Sequence, residues 1–247
     1  MAVSDEASAP RKQSASSILF AGGYRVVAYF GLMSVMASLA WGFRYDPAAS
    51  WWNYLVDGLL YAAFIAPHLM LTQSGVKESV WGRLAGTLRE RQLYILITVV
   101  TWLLVLWLHR PLSGGDWALP EPVRFAGLVG YLWAVLSFFE GSTREALDGL
   151  LGVPGTAMQH SHGSETPLRS EGQYAQVRHP MYRAVMLMGM GALVYHPNTA
   201  QLFWTAMLGA SFILFIPLEE AQLLAARGDE YRRYCQQTRY RLFRGIW

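Results

Sequence analysis

The chain of 247 residues is 53% hydrophobic and only 15% charged, with 10 Trp. Its apolar residues fall in separated runs, which excludes an ordinary soluble domain and points to a polytopic membrane protein. The net charge of +3 is carried by basic residues lying between apolar runs, which excludes a nucleic-acid binder, and the lone Cys235 excludes an internal disulfide and reads as a free thiol on the reducing side.

In chain order, residues 1–17 are polar and Ala/Ser-rich and read as a disordered cytoplasmic tail. They do not read as a cleavable signal peptide, because the apolar run after them starts late and is too long. Six membrane helices are expected, over 24–43, 52–71, 93–108, 125–139, 184–195 and 203–218. Several fall short of ~20 residues, so Trp and Tyr flanks complete the span or the bilayer thins locally. Between the fourth and fifth helices, 143–151 reads as a short amphipathic interfacial helix and 152–171 as a Gly/Pro/Ser-rich loop. There is no sequence repeat and no alternating strand pattern. The fold class is therefore an all-α, polytopic membrane helical bundle with a cytoplasmic C-terminal helix, and residues 18–247 form one membrane domain.

Loop charges orient the bundle. Lys77, Arg83, Arg89 and Arg91 follow the second helix, and Arg144, Arg169, Arg178 and Arg183 follow the fourth. The tail carries Arg227, Arg232, Arg233, Arg239, Arg241 and Arg244, whereas the opposite loops hold only Arg44, Arg110 and Arg124. The positive-inside rule then puts both termini in the cytoplasm, in a bacterial inner membrane.

Two stretches carry chemistry. The first, 172–182, reads Gly-Gln-Tyr-Ala-Gln-Val-Arg-His-Pro-Met-Tyr. Pro180 lacks an N–H and suits the first turn of a helix, with His179 at the cap and Tyr182 one turn in. The free N–H groups of such a helix start, with Arg178, would seat an anionic group of a cofactor. A basic membrane-flanking segment is the competing reading. The second stretch is Glu219-Glu220 at the end of an apolar run, followed by Gly228-Asp229-Glu230-Tyr231-Arg232-Arg233-Tyr234. Carboxylates in that position need a partner, and a cationic ligand would supply one.

Together the two stretches resemble the C-terminal half of the isoprenylcysteine carboxyl methyltransferase-like superfamily of integral-membrane methyltransferases, which includes phospholipid methyltransferases. The shared residues are Gly172, Tyr174, Arg178, His179, Pro180, Tyr182, Glu219, Glu220, Gly228, Tyr231 and Tyr234, in an order and spacing that are more specific than any one piece. The chain departs from the family at Ala184, where Gly is usual, at Arg183, where an apolar residue is usual, and in the tail, which lacks the usual Val-Pro. Pro67-His68-Leu69-Met70 and Glu90-Arg91-x-x-Tyr94 resemble the NnrU-like and methanethiol-methylating branch. The plainer readings are a structural His68 bonded to a carbonyl or headgroup, a charged helix start at Arg89, and Tyr94 in the aromatic belt. Asp57 reads as paired with a polar group inside the bundle, and Met181, Met186, Met188 and Met190 as packing. His160 and His162 lie one residue apart without a supporting Cys or carboxylate, and no metal site is expected.

The resemblance implies S-adenosylmethionine as cofactor, bound by residues 172–247. His179 and Tyr182 would hold its amino-acid end, with Val177, Arg178, Pro180 and local N–H groups completing the seat. Glu219 or Glu220 would take its ammonium or its ribose hydroxyls, Tyr174 would line the cavity, and Tyr231 and Tyr234 would cap it. For a small thiol acceptor, His68 is the candidate base, with Arg91 or Arg183 stabilising the thiolate. The competing readings are a lipidic acceptor (a phospholipid amine, or a prenylcysteine-like carboxylate that Arg183 or Arg239 would clamp), and a non-enzymatic membrane accessory subunit.

Overall fold

The computed structural model describes residues 15–71, 73–140, 144–153 and 168–247. Among these the chain is helical, without strands beyond isolated bridges at Tyr45–Leu112 and Asp116–Asn198. The helices are α1 (Ala15–Trp41), α2 (Trp52–Met70), α3 (Ser74–Trp81), α4 (Leu88–Leu108), α5 (Glu121–Glu140), α6 (Arg144–Leu150), α7 (Pro180–Tyr195), α8 (Thr199–Arg227) and α9 (Asp229–Gln237). Residues 1–14 of the expected tail, and His160 and His162, lie outside the described residues.

All six expected apolar runs are helical. Four of them, in α1, α4, α5 and α8, are long and apolar enough to cross a membrane. A fifth span forms if α2 is taken with the helix after it, to which it is bent by 95°. The remaining run, α7, has 16 residues, ~24 Å at 1.5 Å per residue, short of the ~30 Å hydrocarbon core. The protein is a multi-pass membrane protein. Its outward faces show Trp107, Phe125, Leu136 and Leu214 exposed, as suits surfaces that meet lipid tails.

The boundaries differ from the sequence reading in three places that matter. α1 begins at Ala15, so residues 15–17 open a helix. α4 begins at Leu88, where Thr87 Oγ1 accepts from Glu90 N–H at 3.3 Å, a side-chain cap that brings Arg89 to Tyr94 inside the helix. α8 runs through Pro217 and on to Arg227, so Glu219 and Glu220 stand on a helix flank rather than past its end.

Helix α7 packs chiefly against α5 and α8. Glycines permit the α5 contact: a Cβ on Gly191 would meet Tyr131 N at 2.6 Å, and one on Gly127 would meet Tyr195 N at 2.8 Å. This is the small-residue packing that lets membrane helices approach closely. Asp57 is fully buried and pairs with His109 Nδ1 at 2.6 Å, accepting also from Arg110 N–H at 3.2 Å. Its partner is thus inside the bundle, at the opposite end of α2 from His68, ~16 Å away along the helix axis.

Candidate functional site

Pro180 opens α7 with His179 as its N-cap, as its missing N–H and fixed φ favour. The C-terminal tail runs alongside. Arg178 N–H donates to Tyr240 O and His179 N–H to Arg241 O, both at 2.9 Å. Those two donors, read from the sequence as an anion seat, are therefore committed to the tail. With Pro180 lacking an N–H, only Met181 and Tyr182 keep first-turn donors without an intrahelical partner. Tyr234 Oη and Thr238 Oγ1 both donate to Tyr174 O, at 2.9 and 3.3 Å, so α9 is fastened to the 3₁₀ turn Gly172–Ala175.

Glu220 is the hub of this end. It accepts from Arg178 Nε at 2.6 Å and Arg241 Nε at 2.9 Å, and lies 3.2 Å from His179 Nε2. Arg178 Nη1 also donates to Thr238 O and Arg239 O at 3.0 and 2.7 Å. Arg178 and Glu220, both expected to face a ligand, satisfy each other here, tying α7, α8 and the tail together. Glu219 is different. Its side chain is 43% exposed, and its Oε2 lies 3.4 Å from His179 Nδ1 without a hydrogen bond. Of the two carboxylates, Glu219 is the one left for a cationic ligand.

A ring stack leads inward from this carboxylate. His179 lies parallel to Tyr182, with centroids 5.5 Å apart, and Tyr182 stacks on Phe212 at 4.7 Å. Val177 and Pro180 are fully buried. Tyr231 and Tyr234 are buried side by side, their centroids 6.0 Å apart. Burial raises the pKa of Tyr174, Tyr231 and Tyr234, so all three are neutral hydroxyls at neutral pH. For His179, burial lowers the pKa, but the carboxylates of Glu219 and Glu220 override it and the net direction is up. The sign for stability follows. The favourable charged form contributes fully below the ordinary value of 6.5 and is lost as pH rises through the higher folded value. Ligand-free protein is thus expected to unfold at lower temperature in mildly alkaline than in mildly acidic buffer, with His179→Gln flattening that slope in a melting series across pH.

Phe212 is also a wall of a cavity of about 150 Å³ among α1, α2, α4, α7 and α8. The cavity is lined mainly by apolar and aromatic side chains, among them Phe64, Trp102, Trp204 and Phe215, with Tyr61, Ser211 and His68 as its polar members. Tyr61 Oη and Ser211 Oγ pair at 2.8 Å, and Ser211 Oγ lies 2.9 Å from Met207 O. His68 Nδ1 lies 2.9 Å from Tyr94 Oη and 3.2 Å from Thr98 Oγ1. The His68 side chain is therefore held by α4 hydroxyls, not by a backbone carbonyl.

Two sequence candidates do not reach this cavity. Arg91 Nη1 donates to Gly149 O at 2.7 Å, tying α4 to the end of α6, which Tyr24, Arg25 and Tyr29 fasten to α1 through Leu151 O and Asp148. Arg183 lies off the cavity wall beside the like charge of Arg244. Neither is placed to stabilise a thiolate. Conversely, Thr98, Phe212 and Arg241 were not among the site residues expected from sequence. The four-residue spacing of Tyr94 and Thr98, which puts both on one helix face, was the available signal. Among the described residues there is no group of three or more His, Cys, Asp or Glu suited to a metal.

No family model matches the chain, and no solved structure matches it. Three curated relatives do. Methanethiol S-methyltransferase 1 of Bradyrhizobium diazoefficiens is 28% identical over 195 residues, covering 74% of this chain and 65% of the relative. The methanethiol S-methyltransferase of Mycobacterium tuberculosis is 27% identical over 74% of this chain and 75% of its own length. That of Crocosphaera subtropica is 24% identical over 74% and 72%. The chain is thus a distant relative of the methanethiol S-methyltransferases, the branch to which its sequence motifs point.

Proposed function

We propose that the chain is an integral-membrane, S-adenosylmethionine-dependent methyltransferase that methylates a small thiol such as methanethiol or hydrogen sulfide. The observation that carries the reading is the ring stack His179–Tyr182–Phe212, which joins a half-exposed carboxylate, with one oxygen free of any hydrogen bond, to a small apolar cavity holding one histidine. With both termini cytoplasmic in a bacterial inner membrane, the Glu219 end faces the cytosolic cofactor pool.

The residues present fit the cofactor. Glu219 suits its ammonium or ribose hydroxyls, and Tyr182 with the Met181 and Tyr182 N–H groups suits its amino-acid end. When bound, the cofactor supplies a methyl group already made electrophilic by the sulfonium. The protein's part is to hold the acceptor in line, exclude water and remove the thiol proton. The aromatic cavity does the first two, and His68 is the base. Known cavities of ~150 Å³ lined by apolar side chains stay dry and admit a ligand the size of benzene. The cavity here, of about 150 Å³, admits a two-heavy-atom thiol easily. A prenylcysteine-like carboxylate acceptor would need a cationic clamp on the cavity, but neither Arg183 nor Arg239 lines it.

Calorimetric titration of S-adenosylhomocysteine into detergent-purified protein tests the cofactor site. Wild type is expected to bind. Glu219→Ala is expected to weaken binding by about 10- to 150-fold, the equivalent of ~1.5–3 kcal/mol for a lost hydrogen bond to a charged group, with only a small change in melting temperature. A folded wild type that binds nothing would favour the accessory-subunit reading.

A further inference from the structure

The surroundings of His68 fix more than its position. Thr98 Oγ1 donates its only hydrogen to Tyr94 O at 2.9 Å. Toward His68 Nδ1, 3.2 Å away, that oxygen is therefore an acceptor alone. A lone pair on Nδ1 would face the lone pairs of Thr98, whereas a proton on Nδ1 satisfies them. Tyr94 Oη lies 2.9 Å from the same nitrogen and 3.4 Å from His68 O. With the proton on Nδ1, its single hydrogen goes to that carbonyl and its lone pairs share the Nδ1 proton with Thr98. Every donor in this small group then has an acceptor. The other ring nitrogen, Nε2, has no hydrogen-bond partner among the described residues and is not one of the sealed polar atoms. With its Nδ1 edge turned to α4, the ring borders the cavity beside Phe64 and Phe215.

We infer that Tyr94 and Thr98 are positioning residues that hold His68 in the tautomer protonated on Nδ1, leaving the Nε2 lone pair to take the proton of a thiol acceptor in the aromatic cavity. The inference rests on the small-thiol reading above. The S–H bond breaks and its proton passes to Nε2. The freed sulfur pair forms the new S–CH₃ bond as the methyl donor's S–CH₃ bond breaks, and the donor leaves as a neutral thioether. The imidazolium keeps its Nδ1–H bonds to Tyr94 and Thr98 and returns the Nε2 proton to solvent once the product departs. A ring free to exchange tautomers would present an N–H to the thiol for part of the time and could not accept its proton then.

Two measurements on the full chain in nanodiscs test this. The first is ring ¹⁵N NMR of histidine-labelled protein without cofactor, with His68 assigned by loss of its signal in His68→Gln. Wild type is expected to show Nδ1–H with Nε2 unprotonated, and Tyr94→Phe/Thr98→Val a mixture of tautomers. A wild-type ring protonated on Nε2 overturns the inference. The second is the pH profile of methyl transfer to methanethiol. Thr98→Val is expected to lower kcat about fivefold near pH 7 at unchanged KM for the methyl donor, with Thr98→Ser restoring it. The deficit is expected to shrink toward high pH, where a thiol of pKa ~8.5 or above ionises unaided. A pH-independent deficit, or failure of Thr98→Ser to rescue, overturns the positioning role. Nδ1–H in a wild type that methylates no thiol at any pH overturns the thiol reading and the base role with it, while the tautomer assignment stands.

Discussion

Glu220→Ala is expected to unfasten the C-terminal tail and lower the melting temperature of the detergent-solubilised protein by about 10 °C. The carboxylate accepts from Arg178 and Arg241 and contacts His179, with its side chain only 11% exposed and that of Arg178 10%. Removing it leaves three cationic groups facing one another with no counter-charge. Breaking a buried pair by deleting one partner costs ~3–5 kcal/mol, and ~1 kcal/mol moves the melting point of a chain this size by ~2–4 °C. The lower part of the energy range applies, because Arg241 is 30% exposed and water can serve it. Glu220→Gln, which keeps an acceptor but no charge, should fall between. S-adenosylhomocysteine binding should disappear with the fold of this end, since residues 238–241 hold the start of α7 through Arg178 and His179. Glu219→Ala is the contrast, losing ligand at a much smaller cost in stability, since its side chain is 43% exposed. Equal melting temperatures for wild type and Glu220→Ala would remove Glu220 from the centre of the network.

That contrast shows where the sequence was legible and where it was not. Hydropathy placed the helices because a membrane segment must satisfy its backbone internally and bury little else, and all six runs are helical. The ends were less legible. Thr87 caps α4 earlier than the apolar run begins, and α8 continues past its apolar run because Glu219, Glu220 and the residues up to Arg227 still favour a helix. The chemistry of single residues was legible only where one chain segment decides it, as at His179-Pro180. Whether Arg178 faces a ligand or Glu220 depends on where residues 238–241 return, and no local pattern encodes that. Likewise Arg91 and Gly149 O are separated by 58 residues, so a cation that resembles a catalytic one in a motif is tied elsewhere by tertiary structure. That His68 would have a polar partner was legible for a local reason: a histidine near a helix end in apolar surroundings needs one, and α4 supplies two hydroxyls four residues apart.

His68→Ala should be the most damaging change to turnover that leaves the cofactor site standing. General-base catalysis by a positioned side chain is worth ~10²–10⁴ in rate, equivalent to ~3–5.5 kcal/mol at 1.36 kcal/mol per tenfold. Methyl transfer to methanethiol at neutral pH should fall by about that factor. S-adenosylhomocysteine affinity should stay within about twofold, because His68 is joined to the cofactor end through intermediaries, Phe212 on the shared cavity wall and Tyr94. The substitution also enlarges an existing cavity, and that offers a way to separate chemistry from packing. Free imidazole is small enough to occupy the vacated space and can take the thiol proton from there. Added imidazole should therefore restore part of the lost rate, increasingly as pH rises and more of it is neutral, whereas a packing defect would respond to filling alone and equally to an apolar filler such as benzene. Rescue by imidazole but not by benzene identifies His68 as the base. Equal loss of turnover and cofactor affinity, with no rescue, would make His68 a structural element of the cavity wall and leave the thiol to ionise in solvent before it enters.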